Sequence, residues 1–264
     1  MDHTPSSASV VWQSLRSESH YFVGKGDPVA AALLRLFEVS AGFGDMLSRL
    51  LAYQLASPFI DYDSLRRLLF EAFDGDPAVI DQAARDLLAV RARDPAAEGL
   101  LRPLLFFKGV QAIQTYRAAH IYWHKGQRDT ALYLQNRSSV VFGVDIHPAA
   151  KLGAGLMMDH ATGVVIGETA VVEDDVSILH GVTLGGTGNE QGDRHPKVRR
   201  GVMLGAGAKV LGNIEIGQGA CIAAGSVVLK DVPPHVTVAG VPAEIVGRPR
   251  SEDPAKAMDQ TLAH

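Results

Sequence analysis

Cysteine is almost absent: Cys221 is the only one in 264 residues. A single thiol excludes an intrachain disulfide framework and a cysteine-cluster metal site, so a reducing, cytoplasmic setting is expected. Long apolar runs are missing too, and none approaches the roughly 20 residues that cross a bilayer. Residues 1–9 are polar and lack the basic and apolar blocks of a secretory signal. No excess of positive charge exists either. The 25 basic and 29 acidic residues give a net charge of −4, which argues against a nucleic-acid partner. What remains, 47% hydrophobic and 20% charged, is ordinary for a globular chain with room for one large domain or two modest ones.

The strongest positive signal is a period of six. Aliphatic residues open hexads at Ile146, Leu152, Met158 and Val164, slip by two residues, and return at Ile166, Val172, Ile178 and Leu184. They resume at Val198, Leu204, Val210, Ile216, Ile222 and Val228. Six fits neither a helical face nor a long alternating strand. It marks a parallel β-helix, in which short strands stack into a prism. Glycines after many anchors (Gly153, Gly167, Gly185, Gly205, Gly217) suit its tight corners.

Residues 1–142 read differently. Apolar positions recur at helical spacing through 29–55, 62–73, 77–91 and 103–124. Asp76-Pro77 and Arg102-Pro103 put proline at first helical turns, and Asp61 and Asp63 are candidate N-caps. The expected fold is therefore α+β in composition: an all-α domain over 1–142, a β-solenoid over 143–247 and a flexible tail over 248–264. Val232-Pro233-Pro234 is expected to stop the strands, leaving 236–247 as an irregular closing segment.

The repeat loses phase once, at GGTGNEQGDRHPK between Leu184 and Val198. Insertions into solenoids emerge as loops that often line a binding face. This loop ends in Arg194-His195-Pro196-Lys197, joining a carboxylate-binding fork to a titratable imidazole. Its glycines, Gly185, Gly186 and Gly188, suit either a phosphate cradle or a plain β-helix corner. Asp159-His160 and Asp145-Ile146-His147 form the second concentration of chemistry. A neutral imidazole takes a hydroxyl proton, and a neighbouring carboxylate orients the ring. His160, His180 and His195 are too sparse in sequence for a recognisable zinc motif.

With these residues in view, the chain resembles the serine O-acetyltransferases over nearly its whole length. The resemblance rests on VDIHPAAKLGAG (144–155), MDHATGVVIGETAVVEDDVSILHGVTLGGTG (158–188), GDRHPK (192–197), GAGAKVLGNIEIG (205–217) and VRARDPA (90–96). It implies a left-handed parallel β-helix, trimers paired into hexamers, and acetyl-CoA meeting L-serine between neighbouring prisms. It implies His160 as general base, oriented by Asp145. Asp94 and Asp159 would hold the serine amino group, Arg194 its carboxylate, and His195 would complete the pocket. Backbone about Gly186, Ala206 and Ala224 would contact pantetheine. No permanent cofactor or metal is implied, and L-cysteine is implied as an inhibitor. One departure concerns cysteine synthase: family members that dock there end in isoleucine, whereas this chain ends Gln260-Thr261-Leu262-Ala263-His264. Competing readings are an acyltransferase for homoserine or a sugar hydroxyl, a zinc-dependent carbonic-anhydrase-like hydratase, and a non-catalytic scaffold. Asp94 with Arg194 favours an amino-acid acceptor.

Overall fold

The computed structural model describes residues 6–23, 28–188 and 191–260. Among the described residues, eight helices precede the solenoid: α1 (Ser7–Val23), α2 (Pro28–Glu38), α3 (Phe43–Leu55), α4 (Tyr62–Asp74), α5 (Pro77–Arg93), α6 (Leu101–Phe106), α7 (Lys108–His124) and α8 (Arg128–Phe142). Local chemistry explains their starts. Asp61 Oδ1 accepts the Ser64 N–H at 2.8 Å, and Asp76 does the same for Ala78 ahead of Pro77. In α4, Leu65, Leu69, Ala72 and Phe73 form the buried stripe.

Two expected segments each divide in two. The 29–55 stretch breaks between Glu38 and Phe43, where Asp45 reaches back to accept from Ala41 N–H (3.1 Å). The 103–124 stretch breaks at Phe107, and Gln111 Nε2 donates to the buried carbonyls of Leu104 and Leu105 at the end of α6. Asp63 lies inside α4 rather than capping it. Helices α1 and α8 carried no clear sequence pattern. In α8 only Ala131, Leu134, Ser138 and Phe142 are buried, too thin a stripe to read.

Gly143 ends α8 in left-handed backbone (φ 68°), which glycine adopts without strain, and the solenoid starts at the next residue. Its first coil is β1 (Val144–Ile146), β2 (Lys151–Leu152) and β3 (Met157–Met158); its second is β4 (Val164–Ile166), β5 (Val171–Val172) and β6 (Ser177–Ile178). The third coil is β7 (Thr183–Gly185), β8 (Lys197–Val198) and β9 (Met203–Leu204), and the fourth is β10 (Lys209–Leu211), β11 (Glu215–Ile216) and β12 (Cys221–Ile222). A fifth holds β13 (Val227–Val228) and β14 (Thr237–Gly240), closed by β15 (Ala243–Gly247). Equivalent strands stack in parallel into three sheets, the left-handed prism of hexapeptide repeats. The hexad anchors from Ile146 to Val228 point inward, most of them wholly buried.

The end of the solenoid differs from expectation. Pro233 and Pro234 occupy a corner, where no ladder N–H is required, and Val232 still bridges to Ile216. The chain then re-enters the third sheet as β14, and β15 pairs with it antiparallel, so 236–247 is an ordered hairpin. The tail also departs from the mobile segment expected. It forms α9 (Pro254–Ala257), with Ala255 fully buried and its carbonyl accepting from Ser177 Oγ (2.7 Å). Residues 261–264, which bear on cysteine synthase docking, lie outside the described residues. Among the described residues, no helix is long and apolar enough to cross a membrane.

Helices and solenoid are joined by a buried ion pair. Asp86 of α5 and Arg117 of α7 are 1% and 3% exposed and meet at 2.7 Å. Arg117 Nη2 also donates to Gly153 O (2.7 Å), and Leu156 N–H donates to Asp86 Oδ1 (2.9 Å), so both grip the first coil's backbone. Arg117→Ala should destabilise the protein by about 3–5 kcal/mol in urea unfolding, because Asp86 is left buried and unpaired. Lys256→Ala, at an exposed pair, should cost less than about 1 kcal/mol.

Candidate active site

Ladder register locates the two-residue slip in the hexads. On the second, third and fourth coils one residue (His180, Ala206, Ala224) links the third-sheet ladder to the glycine that opens the first sheet. On the first coil three residues, His160, Ala161 and Thr162, fill the equivalent gap between Asp159 and Gly163. The slip therefore falls at His160. Its ring is 73% exposed, lies 3.7 Å from Asp159 Oδ2, and meets the edge of His180 on the next coil at 5.8 Å between centroids.

This edge faces the helical domain across a cavity of about 550 Å³, lined by Asp94, Asp159 and His160 together with Phe106, Phe107, Lys108, Met157 and Met158. Asp94 ends α5 and accepts the Ala96 N–H (2.8 Å), which folds the following loop beside the cavity. Two carboxylates and an imidazole lining one cavity suit an ammonium group and an adjacent hydroxyl. Asp145 stands on the outer face of the first sheet, where its Oδ1 accepts from Gln135 Nε2 (2.7 Å). Its nearest hydrogen-bond partner in this chain is thus Gln135 rather than His160.

Arg194 and His195 belong to another edge, between the first and second sheets. Asn189 and Glu190 of the loop lie outside the described residues, but its end is tightly built. Thr169 Oγ1 accepts from the N–H groups of Arg194 (3.0 Å) and His195 (3.1 Å), and Arg194 Nη2 donates to Glu168 (2.9 Å). His195 is 7% exposed, and its Nδ1 accepts from Thr169 N–H (3.2 Å), which assigns the proton to Nε2. A Cβ on Gly167 would sit 2.0 Å from that Nε2, so glycine is required below the ring. His147, one coil lower, packs edge-on against Trp123. Gly186 lies against the Arg194 side chain, whereas Ala206 and Ala224 continue the stack of Thr162 and His180 on the edge that carries His160. The expected site residues thus form two groups on different edges of one prism.

Sequence reasoning singled out neither Glu168 nor Lys108. The ion pair that sets the Arg194 fork joins residues 26 positions apart, and only the coil stacking reveals it. The Arg194 hydrogen bond holds the Glu168 carboxyl below its ordinary value. Burial, ahead of Arg194, holds His195 below its own. Among the described residues, no three histidine, cysteine, aspartate or glutamate side chains converge as a metal site.

A helical cap on a hexapeptide β-helix, with an imidazole on one edge and a guanidinium loop on the next, defines the class as a hexapeptide acyltransferase. Residues 195–230 match the bacterial transferase hexapeptide family (six repeats), and residues 11–115 match the N-terminal domain of serine acetyltransferase. The serine acetyltransferase of Salmonella typhimurium is 54% identical over 251 residues, covering 95% of this chain and 92% of its own. A solved serine acetyltransferase in complex with cysteine superposes with a TM-score of 0.93 at 52% identity, covering 97% of this chain and 100% of that one. Another, in complex with CoA, gives 0.86 at 54% identity, covering 90% and 100%. The chain belongs to the serine acetyltransferase family.

Burial also holds His120 and His147 below the ordinary imidazole value of 6.5, as it does His195. The unfolded chain therefore binds more protons than the folded one as pH falls through about 6.5, and stability drops in that direction. The depressed Glu168 carboxyl adds to the loss at lower pH. The urea midpoint should be higher at pH 7.5 than at pH 5.5, and His147→Gln with His195→Gln should flatten the difference.

Proposed function

We propose that this protein transfers the acetyl group of acetyl-CoA to the hydroxyl of L-serine, giving O-acetyl-L-serine and CoA, the committed step of cysteine synthesis. The observation that carries this reading is the cavity that gathers Asp94, Asp159 and His160. Asp94 and Asp159 bind the serine ammonium, and Arg194 pairs with its carboxylate. His195 completes the pocket, offering its Nε2 proton. His160 accepts the hydroxyl proton as the serine oxygen attacks the thioester carbonyl. The carbon–oxygen bond forms, the carbon–sulfur bond breaks, and the proton passes to the departing CoA sulfur. No covalent enzyme intermediate is needed, and the only cysteine, Cys221, is buried. Asp145 orients the imidazole, with Gln135 on one of its oxygens and the ring on the other.

The two edges also bear on assembly. His160 and Arg194 stand at opposite borders of the first sheet, so one substrate reaches both only where neighbouring prisms adjoin. A homotrimer, paired through helical domains into a hexamer, meets that requirement. Acetyl-CoA then runs up the His160 edge past His180 to the backbone of Ala206 and Ala224, with Gly186 contributed across the junction. L-cysteine differs from serine by sulfur for oxygen, so the same carboxylates and guanidinium hold it as a competitive inhibitor. We place the enzyme in the cytoplasm, where acetyl-CoA and a reduced thiol are at hand.

A thiol-release assay with acetyl-CoA against serine, homoserine and sugar acceptors tests the reading; serine should turn over fastest. His160→Ala should retain fold and acetyl-CoA binding while losing ~100- to 10,000-fold in turnover, and near-normal turnover would refute the base assignment. The shared site has its own check. Co-expressing His160→Ala with Arg194→Ala subunits should restore activity that neither variant has alone, since one junction of each mixed trimer is intact. No recovery would return the whole site to a single chain.

A further inference from the structure

The three-residue link at His160 is a strained piece of backbone. His160 and Ala161 both adopt left-handed conformations, φ 53° and 58°, although each carries a Cβ. Such a geometry persists only where its surroundings over-determine it. Part of the restraint comes from the solenoid, through Gly163 N–H to Gly143 O (2.7 Å) and Gly181 N–H to Thr162 O (2.8 Å). The rest comes from the helical domain. The first turn of α7 is pressed against this edge so closely that a Cβ on Gly109 would sit 2.0 Å from Met158 O. From that turn, Lys108 Nζ donates to Thr162 Oγ1, and Thr162 Oγ1 in turn donates to the His160 carbonyl (3.4 Å).

We propose that Lys108 is a positioning residue for the catalytic base: through Thr162 it pins the His160–Thr162 bulge and keeps the imidazole turned into the cavity. This rests on the reading of His160 as base. Lysine suits the task because its long stem reaches from α7 to the solenoid edge, and its ammonium donates a charge-assisted hydrogen bond. Gly109 is the complementary half of the device, since only the absence of a side chain lets α7 come close enough.

The test compares Lys108→Met, Thr162→Val and the double variant, with Lys108→Arg as the conservative control. The readouts are kcat, the KM of each substrate, and the thermal midpoint. Lys108→Met and Thr162→Val should each lower kcat by roughly 10-fold while changing either KM less than about twofold. The double variant should be no slower than the worse single one, because both remove one link. Lys108→Arg should recover most of the rate. A wild-type kcat in Lys108→Met, independent additive losses, or a serine KM that rises while kcat holds would overturn the proposal. The last result would make the ammonium a substrate contact. If Lys108→Met fails to fold, Thr162→Val, a near-isosteric change on an exposed edge, decides in the same way. An active His160→Ala would defeat the underlying reading. An inactive His160→Ala beside a full-speed Lys108→Met would defeat only this inference.

Discussion

The Asp86–Arg117 pair is the interaction on which the geometry of this molecule depends. Burying two charges is costly, and such a pair breaks even only when every remaining lone pair and proton is used. Here they are used unusually fully. Asp86 Oδ2 accepts from Gln114 and twice from Arg117, while its Oδ1 takes the Leu156 N–H. Arg117 turns its remaining capacity to Gln82 and to the Gly153 carbonyl. Tyr116 adds a second grip one residue away, with its hydroxyl hydrogen-bonded to Ala150 O. These bonds fit one docking of α5 and α7 on the first coil. That docking is what brings Asp94, at the end of α5, opposite Asp159 and His160 on the coil.

Much of this was legible in the sequence because a solenoid is nearly one-dimensional. An inward aliphatic residue at every sixth position is demanded by the prism itself, so the hexads from Ile146 to Val228 declare the fold without tertiary knowledge. Both departures left a mark on the period. The long one is the loop that ends in Arg194 and His195; the short one reads in sequence as a slip between Val164 and Ile166, and only the ladder register moves it back to the bulge at His160. Features that depend on three dimensions were not visible. Ion pairs between coils, such as Glu168 with Arg194, connect residues whose sequence distance carries no pattern. Helix α7 is buried around nearly its whole girth between helices and prism, so its periodicity continued into α6 without showing the break at Phe107. The two closing prolines misled because a rule for strand interiors does not govern corners.

The division of chemistry between two edges also escaped the sequence. Asp159-His160 and Arg194-His195 look like parts of one cluster when read along the chain, and one coil apart they would be. The register instead assigns them to opposite borders of the first sheet. On the proposed reading each border carries half a pocket, and the closed three-fold ring proposed above completes it.

The stacking of the His160 edge has a metric consequence. Strands in a sheet are spaced by about 4.8 Å, so each coil lifts the edge by that amount and Ala224 stands roughly 14 Å above the level of His160. The solenoid is in this sense a ruler. On the proposed reading the reacting groups occupy its lowest coils, and the upper coils only add length to the ledge. Coil number and acid–base chemistry are thereby separate variables, and a scaffold of this kind can alter the reach of its acyl donor one whole turn at a time while the imidazole stays where it is.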